Sequence, residues 1–436
     1  MSLIEPVLDL SPIRGDLTAE DDKWLEAISK IDPRDYRIGI VDGRPSDEWL
    51  PCVERGKDGR WWAGRFVGAI TVDGRRLVIQ PRLGVEVIEA WLDEAFGLIA
   101  PPASSRHLES ETFLVRLLAR LWCRSVAEAT RHGLPLLRLP RGHEGLYVRG
   151  RLDVRRTIAL LGEGRVRIAS TTHDRSLDHP VTRAIVCAER ALGDRLHSAG
   201  EWRTDRVRQV LPLLRAGVGS RPRLPTRSEL ERVRYTPITL PFKRAASLSY
   251  RIASGMGYST GNETGDAEGL LVDVAELWEL FVLNCARVAL FPRFRVEHGA
   301  TGGRDQFLLR STISEREMGR LKPDIIVYEG EGVAAVIDAK YKRLADTRER
   351  PNGVEQGDLY QLVSYAQRFQ PSVVAALAYP MGLAGEHERS TAETFGDWRG
   401  AGNRFTFRRL PLAVDACRVA IERMLEAQTQ NDGRLE

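Results

Sequence analysis

Lysine is the scarce residue of this chain: of 64 cationic side chains in 436 residues, seven are lysine and the rest arginine. Cysteine is rarer still, with Cys52, Cys123, Cys187, Cys285 and Cys417 spread far apart and no C-x-x-C pair among them. That spacing excludes a zinc ribbon or a disulfide framework, so the thiols read as ordinary buried groups in a reducing compartment. Long apolar runs are missing too. The longest uncharged stretch, Phe369 to Gly385, contains Pro371 and Pro380 and is shorter than the ~20 apolar residues that a membrane span needs. The opening MSLIEPVLDLSPIRGDL places acidic residues where a signal peptide would carry a basic region and an apolar run. A cytoplasmic protein with no membrane association is expected. There is no Walker A G-x-x-x-x-G-K-[ST], and no internal repeat.

What is present is the balance of a soluble globular protein, 43% hydrophobic and 28% charged, with a net charge of +4 that suits a nucleic-acid partner without requiring one. The length implies two or three domains. Residues 1–103 read as a β-rich N-terminal domain, because GRWWAGRFVGAITV and RRLVIQPRLG flank Asp73-Gly74, a hairpin turn signal. Pro101-Pro102 and Ser104-Ser105 mark its end. Residues 104–245 read as a mixed, mainly helical middle region. It opens on ETFLVRLLARLWCRSVAEATRHG, with apolar residues at helical spacing. GLYVRGRLDVRRTIALL then alternates like strand, and LDHPVTRAIVCAERALGDRLHSAG returns to helix with Pro180 near its start and Asp178 as the expected N-cap. The proline- and arginine-rich RPRLPTRSELERVRYTPITLPFKRA separates this region from residues 246–436.

In that last part the order is helix GLLVDVAELWELFVLNCARVALF, strands FRVEHG, KPDIIVYE and VAAVIDAKYK, helix DLYQLVSYAQRF and strand VVAALAYP, which predicts a mixed sheet flanked by helices. Three of the seven lysines, Lys322, Lys340 and Lys342, fall here. Strand alternation puts Asp338, Lys340 and Lys342 on one face and Ile337, Ala339 and Tyr341 on the other. A turn at Glu329-Gly330-Glu331-Gly332 folds the preceding strand back and sets Asp324 opposite Ile337 or Asp338. Two carboxylates and a compact ammonium then converge, the combination that phosphodiester hydrolysis uses: hard oxygen ligands for Mg²⁺, with Mn²⁺ as a substitute, and a lysine that orients water and offsets charge. Asp324 and Asp338 are the expected ligands, with the Ala339 carbonyl as a further one. Lys340 is the expected assisting residue, and Lys342 is expected against phosphate or solvent. Of two helix glutamates, Glu276 lies opposite the apolar face and Glu279 nearer its edge, so Glu279 is the better third carboxylate. Gln361 and Tyr365, four apart, share a helix face from which they reach a phosphate or brace the aspartates.

Pro323-Asp324, Asp338-Ala339-Lys340 and Gln361-Leu-Val-Ser-Tyr365 resemble the PD-(D/E)xK nuclease superfamily, in particular its members with a Q-x-x-x-Y motif. Within it, DIIVYEGEGVAAVIDAKYK and DLYQLVSYAQRF are similar to the McrC family, the nuclease subunits of McrBC-type 5-methylcytosine-specific restriction systems, as are YVRGRLDV and LLVDVAELWELFV. The likeness runs from about residue 145 to 380 and is weaker in the N-terminal domain. It implies a restriction-endonuclease-like α/β core, DNA as substrate, and hetero-oligomeric assembly with a McrB-like AAA+ GTPase. Such subunits dock on that motor through an N-terminal region, which here points to Trp61-Trp62 or to Arg75 or Arg76.

Plainer roles stand beside these. A D-x-K can be a salt-bridged hairpin, Glu279 a solvated ion-pair partner, and Tyr365 mere packing. One of Trp61 and Trp62 must be buried, since adjacent strand residues face opposite ways. His173, Asp174, Asp178 and His179 suit capping better than metal binding, and Arg155-Arg156 and Arg408-Arg409 read as solvated faces. At the level of function the alternatives are a non-catalytic adaptor of a GTPase motor and a stand-alone DNA-repair nuclease.

Overall fold

Asp73 and Gly74 both adopt positive φ, 51° and 71°, the geometry of the tight turn expected between two strands of the first sheet. The computed structural model describes residues 6–32, 37–38, 50–96, 110–197, 202–255, 268–299, 306–342, 353–369, 373–382, 394–400 and 402–426. In chain order the first elements are β1 (Val7–Leu8), α1 (Ala19–Ser29), β2 (Arg37–Ile38), β3 (Val53–Arg55), β4 (Trp61–Ala63), β5 (Phe66–Val72), β6 (Arg75–Gln80) and α2 (Val85–Phe96). Helix α1 begins where Thr18 and Asp21 cap each other reciprocally. It packs Trp24, Leu25 and Ile28 into a core with Trp61, Phe66, Ile70, Leu77 and Ile79.

The middle elements are α3 (Ser110–Ala129), β7 (Leu137–Gly145), β8 (Arg151–Leu152), α4 (Val154–Gly162), β9 (Ile168–Ser176), α5 (Pro180–Leu196), α6 (Asp205–Val218), α7 (Arg227–Glu231) and α8 (Pro241–Ala253). Helices α3, α5, α6 and α8 form a cluster, and α4 packs on β9 of the sheet β7-β9-β8. Two expectations change here. RRTIALL is helical, because Asp153 accepts from the Arg156 N–H at 2.9 Å and so starts α4. The N-cap of α5 is His179, not Asp178: Pro180 holds the first helical position, so the residue just before it must cap, and His179 accepts from the Thr182 N–H. Asp178 instead pairs with Arg183 at 2.8 Å.

The remaining elements are β10 (Glu268–Asp273), α9 (Val274–Ala289), β11 (Arg295–His298), β12 (Gln306–Arg310), β13 (Glu317–Leu321), β14 (Ile325–Glu329), β15 (Gly332–Ala339), α10 (Gln356–Phe369), β16 (Val374–Pro380), β17 (Thr394–Gly400), β18 (Asn403–Leu410) and α11 (Val414–Glu426). The first stretch of the expected helix GLLVDVAELW is a strand instead. Asp273 accepts from the Ala275 N–H at 3.0 Å and starts α9 only after it, while β10 pairs with β5 and β2 and completes the sheet β1-β6-β5-β10-β2. At Gly68, φ is +147° and the Leu270 carbonyl sits where a Cβ would project, so this crossing of β5 by β10 requires glycine. The second large sheet has the order β11-β14-β15-β16-β18-β17, with β15, β16 and β18 parallel and α10 crossing between β15 and β16. Arg408 and Arg409 lie half-buried in β18 rather than on a solvated face, with Arg408 3.6 Å from Asp397.

Residues 1–99 and 259–436 form one compact unit and residues 100–258 a second. The inserted segment begins near the composition shift at residue 103 but runs past the one at 245, which falls inside α8, and the β-rich N-terminal part shares a unit with the last third of the chain. Pro101-Pro102 and Ser104-Ser105 lie outside the described residues.

Candidate active site

The hairpin β14–β15 turns at Glu329 and Gly332 and pairs Ile325 with Ile337, so Asp324, one residue before β14, lies opposite Asp338. Of the two registers that the sequence allows, this is the one that joins the aspartates. The Ala339 N–H donates to Asp324 Oδ2 at 2.7 Å. Asp338 is buried near the carboxyl end of β15, and the ladder with β16 ends beside it at Ala339 and Ala378. Lys340 follows, with Nζ 2.7 Å from Asp338 Oδ2. That oxygen is buried and makes no well-directed hydrogen bond, so the contact is an ion pair in which the carboxylate keeps acceptor capacity.

Helix α10 supplies the opposite wall. Lys340 Nζ donates to Gln361 Oε1 at 2.9 Å, Gln361 Nε2 donates to the Tyr365 hydroxyl at 2.6 Å, and that hydroxyl donates to the Lys322 carbonyl at 3.1 Å. One chain of hydrogen bonds thus runs from the ammonium through Gln361 and Tyr365 to the main chain two residues before Asp324. Tyr365 is buried, and burial first, then the Asp338 charge, pushes its phenol well up.

Electrostatics make this pair of carboxylates costly. Burial, with the charges of Glu279 and Asp338, raises Asp324 well above the usual carboxylate range against the pull of Lys340 and the Ala339 N–H. Asp338 is raised by burial, with Lys340 opposing. For Lys340 burial acts downward, but Asp338, Asp324 and Asp358 together outweigh it and hold the ammonium above an ordinary lysine. Lys340 therefore keeps its proton at neutral pH, as a positive charge and hydrogen-bond donor beside Asp338.

Other expected residues fall differently. Glu279 points into the same neighbourhood, since its charge acts on Asp324, but its Oε1 lies 2.7 Å from His298 Nε2. Lys342 is partly exposed and is paired with Glu355 at 2.7 Å and Asp358 at 2.9 Å. Asp358, Glu355 and His298 were not anticipated. Asp358 precedes Gln361 by three on α10, a spacing that puts both on one face, so a signal for it existed; for His298 there was none. In the separate two-stranded sheet β3–β4 Trp61 is buried, with its indole N–H on Asp22 at 2.7 Å, while Trp62 is partly exposed. Arg75 is paired with Asp21 and stacks on Trp24 at 4.6 Å, and Trp62, Arg75 and Arg76 are all partly exposed.

Among the described residues no three His, Cys, Asp or Glu side chains stand together as a ligand set, and no helix is long and apolar enough to cross a membrane. The hard oxygens that could hold a cation are those of Asp324 and Asp338, with the carbonyl of Ala339, the residue after Asp338. The five cysteines are free thiols, Cys187 half-buried and the others buried.

Residues 62–380 match the family described as McrBC 5-methylcytosine restriction system component, a span that reaches further toward the N-terminus than the motifs alone indicate. No curated protein matches the chain. A chain of the refined half-complex from a tetradecameric assembly of Thermococcus gammatolerans McrB AAA+ hexamers with bound McrC aligns over 97% of this chain and 99% of its own, at a TM-score of 0.55 and 18% identity. A chain of the Thermococcus gammatolerans McrBC complex aligns over 65% and 88% at a TM-score of 0.36 and 20% identity.

Proposed function

The chain belongs to the family of McrBC 5-methylcytosine restriction system components, and from that premise we propose that it is the DNA-cutting subunit of such a system, a Mg²⁺-dependent endonuclease that works with a McrB-like AAA+ GTPase. One observation carries the reading: two carboxylates, the half-buried Asp324 and the buried Asp338, face each other across a hairpin with a protonated lysine 2.7 Å from the second. Structural ion pairs rarely bury two acids for one base, because each uncompensated charge costs stability.

The donor set suits a small hard cation. Asp324, Asp338 and the Ala339 carbonyl would hold it, leaving the rest of its shell to water and phosphate oxygens, the usual arrangement for Mg²⁺. Bound there, the ion would polarise the phosphate and lower the pKa of an attacking water. The chain's own residues do the remainder. Lys340, fixed between Asp338 and Gln361, offsets charge that grows on the phosphoryl oxygens and orients the water, whose oxygen bonds to phosphorus as one ester oxygen leaves. Gln361 and Tyr365 keep the ammonium in line. Glu279 is placed to add a carboxylate if His298 releases it.

The Thermococcus assembly that shares this fold joins McrC to McrB AAA+ hexamers. The proposed partner here is of that kind, and with it this chain would form a hetero-oligomer. Long methylated and unmethylated DNA would be incubated with Mg²⁺ and either wild type or Lys340→Ala, with and without the AAA+ partner and GTP. Cleavage that needs the partner and falls by at least about a hundredfold in Lys340→Ala is the expected outcome. Equal cutting by both proteins removes Lys340 from the mechanism. GTPase stimulation with no cutting under any condition favours the adaptor.

A further inference from the structure

Strand β15 ends at Ala339, so residues 340–342 depend on other anchors. One is the main-chain N–H of Lys340, which donates to the Ala378 carbonyl at 2.8 Å. The same carbonyl accepts the Trp278 indole N–H at 3.1 Å. A second is the Lys342 ammonium on Asp358 and Glu355. Between them Tyr341 points the other way, and its hydroxyl donates to Asp9 Oδ2 at 2.7 Å. Asp9 is fully buried just after β1, and its Oδ1 accepts the Arg82 N–H at 2.5 Å. The Arg82 guanidinium lies 4.9 Å over the Tyr341 ring, and Trp91 meets that ring edge-on at 6.3 Å. Three pieces of the N-terminal part thus close around one side chain of the catalytic segment.

We propose that Asp9 and Tyr341 are positioning residues for DNA cleavage: the buried Asp9 carboxylate holds the Tyr341 hydroxyl, and thereby fixes the segment that places the Lys340 ammonium between Asp338 and Gln361. The inference rests on the nuclease reading of the site. Its physical basis is that a hydrogen bond to a buried carboxylate is strong and directional. Lys340 sits next to the residue so held, and a displacement of about 1 Å at a reacting group costs up to about a hundredfold in rate. Tyr341 touches no reacting atom, so it acts through Lys340 alone.

The test uses the full chain with its AAA+ partner, GTP, Mg²⁺ and methylated DNA under single-turnover conditions. Tyr341→Phe keeps the ring and its packing and removes only the hydroxyl. The expected result is a cleavage rate constant lowered about tenfold to a hundredfold, with unchanged DNA affinity and full amplitude. Asp9→Asn, which preserves shape and acceptor, should lose less. Hydrogen exchange on the metal-free protein gives a readout independent of cutting: the amides of Lys340, Tyr341 and Lys342 should exchange faster in Tyr341→Phe while the body of β15 is unchanged. A rate constant equal to wild type, or a loss confined to amplitude and accompanied by faster exchange everywhere, overturns the positioning role and leaves the nuclease reading standing. Wild type that cuts under no condition sinks the nuclease reading, and the positioning role with it, whatever the exchange shows.

Discussion

Asp324 is a residue on which a negative charge is hard to keep. Its folded pKa is raised by burial and by Glu279 and Asp338, so the fold binds its proton more tightly than the unfolded chain does. The contribution to stability is complete below the ordinary carboxylate value of 3.8 and is lost as pH rises through the elevated folded value. Metal-free protein should therefore become less stable across that window. Asp324→Asn, which retains an acceptor for the Ala339 N–H, should be more stable than wild type at pH 8 without metal and should lose that advantage in acid. Adding Mg²⁺ should stabilise wild type and do little for the variant. Thermal denaturation at several pH values, with and without Mg²⁺, checks all three, and a less stable Asn variant at pH 8 would refute the repulsion. Asp21 behaves in the opposite sense: bonds from Thr18 and Arg75 lower it to about 2, so its contribution is present above 3.8 and fades only as pH falls through about 2.

Elements whose identity is written in a local pattern were legible, and those decided by a distant partner were not. The Asp73-Gly74 turn, the β14–β15 hairpin, the D-x-K strand and helix α10 with Gln361 and Tyr365 on one face all follow from spacing and turn chemistry. The segment GLLVD failed because a short apolar run suits helix or strand equally, and here pairing with β5, some 200 residues earlier in the chain, decides it. The Asp9–Tyr341 and Glu279–His298 contacts are invisible for the same reason: nothing near either residue announces the other. The dependence of β10 on β5 is testable at Gly68. Gly68→Ala would drive a methyl group into the Leu270 carbonyl at a positive φ, so a loss of roughly 3 kcal/mol or more is expected. Urea unfolding measures it, and a loss below about 1 kcal/mol would mean that the strands can separate locally without cost to the rest.

At the level of the whole molecule, the first 99 residues and the last 178 act as one body. The boundary suggested by composition near residue 245 is a poor place to cut. A fragment of residues 246–436 lacks β5 and leaves β10 without it, and it removes Asp9, Arg82 and Trp91 from around Tyr341. Expressed alone it should show no cooperative unfolding transition, and co-expression with residues 1–99 should restore one; a lone fragment with a sharp transition would contradict the single body.

The inserted residues 100–258 set a schedule for the ribosome. Strand β5 emerges early, yet its neighbour β10 cannot be reached until the whole middle segment has been translated, roughly 10 to 30 seconds at ordinary elongation rates. Throughout that interval a seven-residue, almost wholly buried apolar strand has one unpaired edge. Slow translation through the middle segment should therefore lower the soluble yield of this chain more than that of a protein of equal length whose sheets close in sequence order.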